Sequence, residues 1–339
     1  MIKTAVVILN YNGSSYLRQF LPSVIQFSHQ AKIVVADNGS TDDSISVLQN
    51  FPEVEVLKLN KNLGFCGGYN TALQHIEATY YVLLNSDIEV TANWLTPLIA
   101  RLDNDDRIAA VQPKILSYHQ KEYFEYAGAA GGFLDVLGYP FCRGRIFDTL
   151  EKDTGQYDQA VPIFWATGAC LMIRSNHYHQ LGGLDEDFFA HMEEIDLCWK
   201  LNRLGYTIYC EPASRIYHVG GGTLSKLSPR KTYLNFRNGL SLVFKHWSPG
   251  EILWKLPVRM LLDWVAAIQF LMHGKTSDAR MVFKAHGNFL SSIGRERKKR
   301  TALQNLPYTI AEEVNKKIFL IGQYFINNKK TFREINNPK

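Results

Sequence analysis

Cysteine is sparse in this chain, and it is not arranged for any of its usual structural roles. Its five cysteines, Cys66, Cys142, Cys170, Cys198 and Cys210, are odd in number and show no CxxC spacing. Neither a disulfide framework nor a zinc site is expected, and a reducing compartment fits. Long hydrophobic runs are missing too. The apolar part of MIKTAVVILNYNG is about six residues, short of a signal-peptide core. The segment 251–273 is strongly apolar but is broken by Lys255, Arg259 and Asp263, which leaves less than the roughly 20 residues that a spanning helix needs. The expectation is a cytoplasmic protein. The glycine-rich stretch Asn62-Leu63-Gly64-Phe65-Cys66-Gly67-Gly68 lacks the Walker Lys-Ser/Thr and fails GxGxxG, so it makes no case for a nucleotide hydrolase or a dehydrogenase.

What the sequence does contain is a core-forming composition with an uneven charge. Of the 339 residues 46% are apolar, enough for one large domain with an appendage or for two domains. Residues 1–240 carry 20 Lys+Arg against 25 Asp+Glu, and residues 241–339 carry 17 against 7, a net of −5 followed by +10. An acidic front and a basic rear suggest two parts, 1–240 and 241–339, with different partners. In the front, β-rich runs (Thr4–Leu9, Ile33–Ala36, Val54–Leu59, Tyr80–Leu84) alternate with stretches of helical length (Ser14–Phe27, Thr41–Phe51, Gly67–Ala78). That rhythm predicts α/β architecture built on βαβ units and a mostly parallel sheet flanked by helices. Further on, strands are expected at Thr167–Arg174 and Thr207–Cys210 and a helix near 193–204, and from about 231 the pattern is helical and basic.

Ligands of such sheets bind beyond the carboxyl ends of the strands, and each strand of the front runs into polar residues there. They are Asn10-Tyr11-Asn12-Gly13, Asp37-Asn38-Gly39-Ser40, Asn60-Lys61-Asn62 and Asn85-Ser86-Asp87. Turn and cap chemistry accounts for any one of them, less easily for four along one edge. Asp87 is placed to offer a carboxylate to a hard cation whose other positions phosphate oxygens fill; the competing reading is an N-cap for a helix near Thr91. Asp37 suits a base N–H or a ribose hydroxyl as well as it suits a turn. On a helical wheel Glu193, Asp196, Lys200 and Arg203 share one side, which reads as a solvated, mutually compensated face with Asp196→Lys200 as an i,i+4 pair. Glu194 falls on the other side with Leu197, Cys198 and Leu201. A carboxylate aimed inward is costly unless it lines a polar cleft, where a catalytic base would lie. His218 precedes Gly220-Gly221-Gly222 and is either structural or a second metal ligand beside Asp87. Arg237-Asn238 is either a diphosphate clamp or helix surface.

Together VVILNYNG, VVADNGSTDDS, NLGFCGGYN, LLNSDIEV, WATGACLMIR, FFAHMEEIDLCWKLNRLGY and IYHVGGGT, in this order over about residues 3–240, resemble the inverting family 2 glycosyltransferases of the GT-A fold, especially the bacterial rhamnosyltransferase-like branch. The resemblance implies a nucleotide-diphosphate sugar donor, with dTDP-rhamnose first and UDP-sugars next, and Mg²⁺ or Mn²⁺ as cofactor. It places Asn10, Tyr11, Asn12 and Asp37 at the nucleoside, and Asn62, Gly64, Asn85, Asp87 and Arg237 along the rest of the donor. Asp87 becomes the last acid of the family's metal motif, and His218 completes the metal site. Trp165, Thr167, Gly168 and Glu193 fall on the acceptor side. The family's usual Glu-Asp catalytic pair is Glu193-Glu194 here, which makes Glu194 the base, while Glu193 and Asp196 stay open as alternatives.

The implied role is sugar transfer to a glycan or lipid-linked acceptor in cell-surface polysaccharide synthesis. A nucleotidyltransferase would want Arg and Lys in a glycine-rich first loop, and Asn10-Tyr11-Asn12-Gly13 offers neither. A non-catalytic nucleotide-sugar or glycan-binding protein is kept open by the Glu-Glu pair. For the rear, amphipathic helices beside Arg295-Glu296-Arg297-Lys298-Lys299-Arg300 suit the cytoplasmic face of the inner membrane. A domain cap or a homodimer interface is the alternative. No nucleic-acid motif accompanies the basic run.

Overall fold

The computed structural model describes residues 2–220, 228–307 and 309–336. In the front of the chain, β1 (Ile2–Asn10), α1 (Ser14–Phe27), β2 (Lys32–Asp37), α2 (Ser44–Leu48), β3 (Glu55–Lys58), α3 (Gly64–Leu73) and β4 (Ala78–Asn85) follow the expected alternation. Helix α1 buries Leu17, Phe20, Leu21 and Val24, the i, i+3, i+4, i+7 stripe of a helix lying on a sheet. Helix α2 is shorter than 41–51 because Asp42 turns back to accept from the Ser44 N–H, so the turn takes the first residues of that stretch. Helix α3 starts earlier than residue 67 because the Asn62 side chain accepts from the Gly64 N–H at 2.8 Å.

The chain continues through β5 (Ile88–Val90), α4 (Leu95–Asn104), β6 (Ile108–Ser117), β7 (Gly132–Leu134), β8 (Pro140–Cys142), β9 (Arg145–Ile146), β10 (Thr149–Leu150), β11 (Val161–Ile163) and β12 (Cys170–Arg174). After these come α5 (Ser175–Gln180), α6 (Glu193–Arg203), β13 (Thr207–His218), α7 (Pro229–His246), α8 (Pro249–Met272), α9 (Thr276–Gln304) and α10 (Phe332–Asn336). The main sheet has the order β11-β13-β6-β12-β4-β1-β2-β3, with β5 on β13, and β7–β10 form a small second sheet.

The expected parallel arrangement holds for β3-β2-β1-β4. It does not extend across the sheet, because β12 runs antiparallel to both β4 and β6. The reason is the route of the chain. After the small sheet it re-enters at the edge where β4 ends, so β12 must run back the other way. Alternate residues of β1 feed two cores, Ala5 and Val7 on one face and Val6 and Ile8 on the other; a sheet covered on both sides requires such a continuous apolar strand.

Helix α7 crosses the 240/241 position at which net charge changes sign, and the helices that follow fold back on the front. Arg203 donates to the Leu303 carbonyl, the Leu320 N–H to Asp135 and the Phe332 N–H to Glu151. Among the described residues, no helix is long and apolar enough to cross a membrane.

Candidate active site

Strand register sets the loops of the front side by side. Asn10 is level with Asp37, and Leu9 with Asn85. Asn10 Nδ2 donates to Asp37 Oδ1 at 3.0 Å and to Ser40 Oγ at 3.2 Å, and Asp37 Oδ2 accepts from the Ser40 N–H. Both Asp37 oxygens therefore take part in holding the turn. Asn12, at φ 51°, accepts from the Thr41 and Asp42 N–H groups and ties the first loop to the second. Tyr11 is left on the surface, 40% exposed. Asn38 was not singled out from sequence. It receives the Leu63 N–H and donates to the Gly64 carbonyl and Asn62 Oδ1, so one buried amide fixes the whole 62–64 loop. Gly64 sits at φ +73°, and a Cβ there would stand 2.7 Å from the Phe189 ring.

Asp87 does not cap a helix; β5 intervenes, and α4 begins only at Leu95. Pairing of β5 with β13 puts Ile88 opposite His218, and the Val219 N–H donates to the Asp87 carbonyl. As a result His218 Nε2 lies 3.1 Å from Asp87 Oδ1. Its other nitrogen, Nδ1, lies 3.2 Å from Glu125 Oε2. Glu125 carries no signal in the sequence, because it reaches the site from the irregular stretch after β6. Burial would draw the His218 pKa down, but the Glu125 and Asp87 carboxylates outweigh it and push it up to about 10. Gly221 and Gly222, expected to admit a ligand beside His218, lie outside the described residues.

The donor set fits a hard divalent cation in part. Asp87 and His218 converge as one carboxylate and one imidazole, while no group of three or more such residues is placed to hold a metal among the described residues. Two protein ligands suit an ion that completes its shell with diphosphate oxygens and water. Asp87, Glu125 and His218 are all buried, so an ion here would face little competition from solvent.

Glu194 stands in the first turn of α6 and is partly exposed, whereas Glu193 is 4% exposed. Burial raises the Glu194 pKa to about 7 against the pull of backbone N–H groups at the helix N-terminus. Burial and the neighbouring Glu194 charge hold Glu193 well above the ordinary range. One oxygen of each carboxylate has no hydrogen-bond partner. The approach to this helix is strained. Phe189, His191 and Met192 have φ of 65°, 71° and 76°, a conformation non-glycine residues keep only where the surroundings impose it. Asn238 imposes it, its amide lying 3.0, 2.9 and 2.7 Å from the carbonyls of Phe188, Ala190 and His191. Arg237 donates to the same Phe188 carbonyl. The Arg237-Asn238 pair thus braces the loop before Glu194.

The wheel reading of the opposite side of α6 needs correction. Glu193, Asp196, Lys200 and Arg203 are 4%, 0%, 8% and 4% exposed, not solvated, because α7 and α9 cover them. The i,i+4 pair does form, Lys200 Nζ to Asp196 Oδ2 at 2.8 Å, but inside the protein. Arg203 donates to the His246 and Leu303 carbonyls. Asp196 is also bound by Lys245 and His246, and its lysine neighbours outweigh burial to hold its pKa well below the carboxylate range. A carboxylate so neutralised is a poor base.

Of the residues placed on the acceptor side, Trp165 is a core residue. Its indole N–H donates to the Phe133 carbonyl and its ring fills the space where Gly132 lacks a side chain. Thr167 is buried, its hydroxyl accepting from the Ala169 N–H. Gly168 does face the site: a Cβ on it would stand 3.2 Å from Phe65 and 3.9 Å from Glu194 Cβ. The Asn85 N–H donates to the Ala169 carbonyl at 2.9 Å, so the Gly168 turn links the strand leading to Asp87 with the helix carrying Glu194.

Comparison with known proteins bears on the family and the fold. The model of the family described as "Glycosyl transferase family 2" matches residues 5–174. The chain is 25% identical over 230 residues to N-acetylglucosaminyl-diphospho-decaprenol L-rhamnosyltransferase of Mycobacterium tuberculosis, covering 63% of this chain and 75% of that one. It is 22% identical over 220 residues to rhamnosyltransferase WbbL of Escherichia coli K12, covering 63% and 82%. Among solved structures, a mannosyltransferase from Pyrobaculum calidifontis in complex with GDP-Man and Mn²⁺ superposes with a TM-score of 0.52 at 15% identity, over 89% of this chain and 84% of that one.

Proposed function

Because the chain belongs to glycosyl transferase family 2, in its rhamnosyltransferase-like branch and with the GT-A fold, we propose that it transfers a sugar from a nucleotide-diphosphate donor to an acceptor hydroxyl with inversion. What supports this is the Asp87–His218 pair, together with a Gly168 turn that lies against Glu194 and is followed by Ala169, whose carbonyl accepts from the strand leading to Asp87. The loops at Asn10–Asn12, Asp37 and 62–64 would frame the nucleoside and ribose.

Asp87 and His218 would hold Mg²⁺ or Mn²⁺, whose charge offsets that of the departing diphosphate. Glu194 removes the acceptor proton as the acceptor oxygen bonds the anomeric carbon from the face opposite the leaving group. The bond from that carbon to the diphosphate oxygen breaks, and the nucleoside diphosphate leaves. One displacement inverts the centre and needs no covalent nucleophile. Glu193 and Glu194 share one low-polarity site, so deprotonating Glu194 alone is easier than charging both.

A glycan or lipid-linked acceptor in polysaccharide synthesis is the class that relatives of this branch point to, and rhamnose is the first donor sugar to try. The test is a nucleotide-sugar thermal-shift screen with and without Mn²⁺, followed by transfer with the responding donor. Transfer abolished by EDTA, with an inverted product linkage by NMR, supports the proposal. Donor binding without turnover on a broad acceptor panel would replace it with a binding role.

A further inference from the structure

We infer that the outward face of α8 docks on an anionic lipid surface. The inward face of the helix mixes apolar residues such as Leu256 and Ala267 with two buried charges: Arg259 donates to the Leu137 carbonyl, and Asp263 accepts from the Tyr139 hydroxyl and pairs with His286. Lys255 pairs with Glu251 along the helix. Its outward face is largely apolar. Leu253 is 81% exposed, Trp254 56%, Leu261 55%, Val265 60%, Ile268 56% and Met272 81%. With Val258, 38% exposed, the positions from Trp254 to Met272 recur every three or four residues, so they form one stripe along most of a 24-residue helix about 36 Å long. An uncovered apolar stripe of that length marks a surface that something covers.

Charge decides between a second copy and a lipid. The four acidic side chains of α8 and α9 are all engaged or buried. Glu251 is taken by Ser248 and Lys255, Asp263 by Tyr139 and His286, Asp278 by Thr232, and Glu296 is 3% exposed. Lys275, Arg280, Lys284, Arg297 and Lys298 stay exposed; Lys275 and Arg280 follow the Met272 end of the stripe, and Lys284 is two residues before His286, which meets Trp264 midway along α8. In a two-fold dimer the same patch meets itself, so these charges would be brought together with no exposed carboxylate on either helix to offset them. An anionic leaflet supplies the opposite sign, with each Lys or Arg near the surface contributing about 1 kcal/mol. Trp254 and the half-exposed Trp264 suit the headgroup level. The helix would lie in the interface, not across the bilayer, consistent with its inward-facing charges.

The same helical hairpin reaches the site. Lys299 and Arg295 on α9 pair with Asp185 and Asp187, in the turn that leads to Glu194. This deepens the proposal of a lipid-linked acceptor and rests on it for its purpose, while the surface argument is independent of the chemistry.

The experiment is flotation of the full chain with phosphatidylcholine vesicles, with and without about a third phosphatidylglycerol, at low and high salt. The wild type is expected to float with the anionic vesicles and to be released by salt. Leu261→Glu with Val265→Glu, and separately Lys275→Glu with Arg280→Glu and Lys284→Glu, should each reduce the bound fraction at least about tenfold. No flotation of the wild type, or flotation that neither variant weakens, overturns the inference. So does a dimer by light scattering that the Leu261/Val265 variant breaks, since a second copy would then cover the stripe. Nucleotide-sugar thermal shift, measured without vesicles, should be unchanged in both variants and reports that they fold. Its absence in the wild type would count against sugar transfer and leave the flotation result standing.

Discussion

Lys245 Nζ stands 2.7 Å from Asp196 Oδ1, with the two side chains 1% and 0% exposed. Lys245 also bonds Asp185 at 2.7 Å, so a single α7 cation ties α6 to the turn that precedes it. Removing one partner of a buried ion pair leaves an uncompensated charge and costs about 3–5 kcal/mol. Asp196→Ala is therefore expected to lower urea stability by that order. Turnover per folded molecule should stay within about tenfold of wild type, as a positioning role allows. Loss of turnover by about 10²-fold or more in a variant still folded would make Asp196 a candidate base again.

Glu194→Gln should behave in the opposite way. The amide keeps the shape of the side chain and loses the proton acceptor, so kcat is expected to fall by about 10²–10⁴ while the nucleotide-sugar thermal shift is retained. Glu193→Gln, at a buried position, should cost far less in kcat. If the two variants exchange these phenotypes in steady-state kinetics, the base is Glu193.

The raised Glu194 pKa has a direction in pH. A base must be ionised, so kcat should rise as pH increases through about 7 and level off above it. For stability the sign is reversed. A carboxyl whose folded pKa is raised stabilises fully below its unfolded value, and that contribution is lost as pH rises through the folded pKa. Glu194→Gln should thus melt higher than wild type at pH 8, by about 1–3 kcal/mol, and match it near pH 4. A wild type and variant that melt alike at pH 8 would place Glu194 in an ordinary solvated environment.

Much of the front of the fold was legible because local signals and tertiary structure agree there. The continuous apolar run of β1 and the 3.6-residue stripe of α1 survive folding unchanged, and α1 begins and ends where the pattern places it. The parallel order failed at β12, since strand direction depends on where the chain returns from, and no window of sequence records that. The wheel failed on α6 for a related reason. Amphipathy assumes one wet side, and the polar side of α6 is dry once α7 binds Asp196 and α9, distant in sequence, meets Arg203. Candidate residues at strand ends, Asp37 and Asp87, were readable from position alone. Glu125 and Asn38 were not. Glu125 acts through His218, and Asn38 is indistinguishable in sequence from an ordinary turn residue; only its bonds to the 62–64 loop set it apart.

Close packing between the 62–64 loop and the turn before α6 makes Gly64 a sensitive position. Its φ of +73° disfavours any side chain, and a Cβ would meet the Phe189 ring at 2.7 Å, while the next residue, Phe65, donates its N–H to the Phe189 carbonyl. Gly64→Ala should cost about 1–3 kcal/mol from strain and weaken donor binding as the 62–64 loop shifts, seen as a smaller nucleotide-sugar thermal shift.

Glu125 offers the sharpest test of the proposed metal site. It lies 3.2 Å from His218 Nδ1, while Nε2 lies 3.1 Å from Asp87 Oδ1, so Glu125 would orient the imidazole toward an ion held at Asp87. Loss of such a partner typically lowers metal affinity by about 10–100-fold. Glu125→Gln should shift the Mn²⁺ concentration for half-maximal activity upward by that factor while leaving kcat at saturating Mn²⁺ close to wild type. Asp87→Ala, which removes a ligand, should not be rescued by added metal. If Asp87→Ala keeps full activity in EDTA, the acid–histidine pair is structural, and the departing diphosphate must be stabilised by other residues.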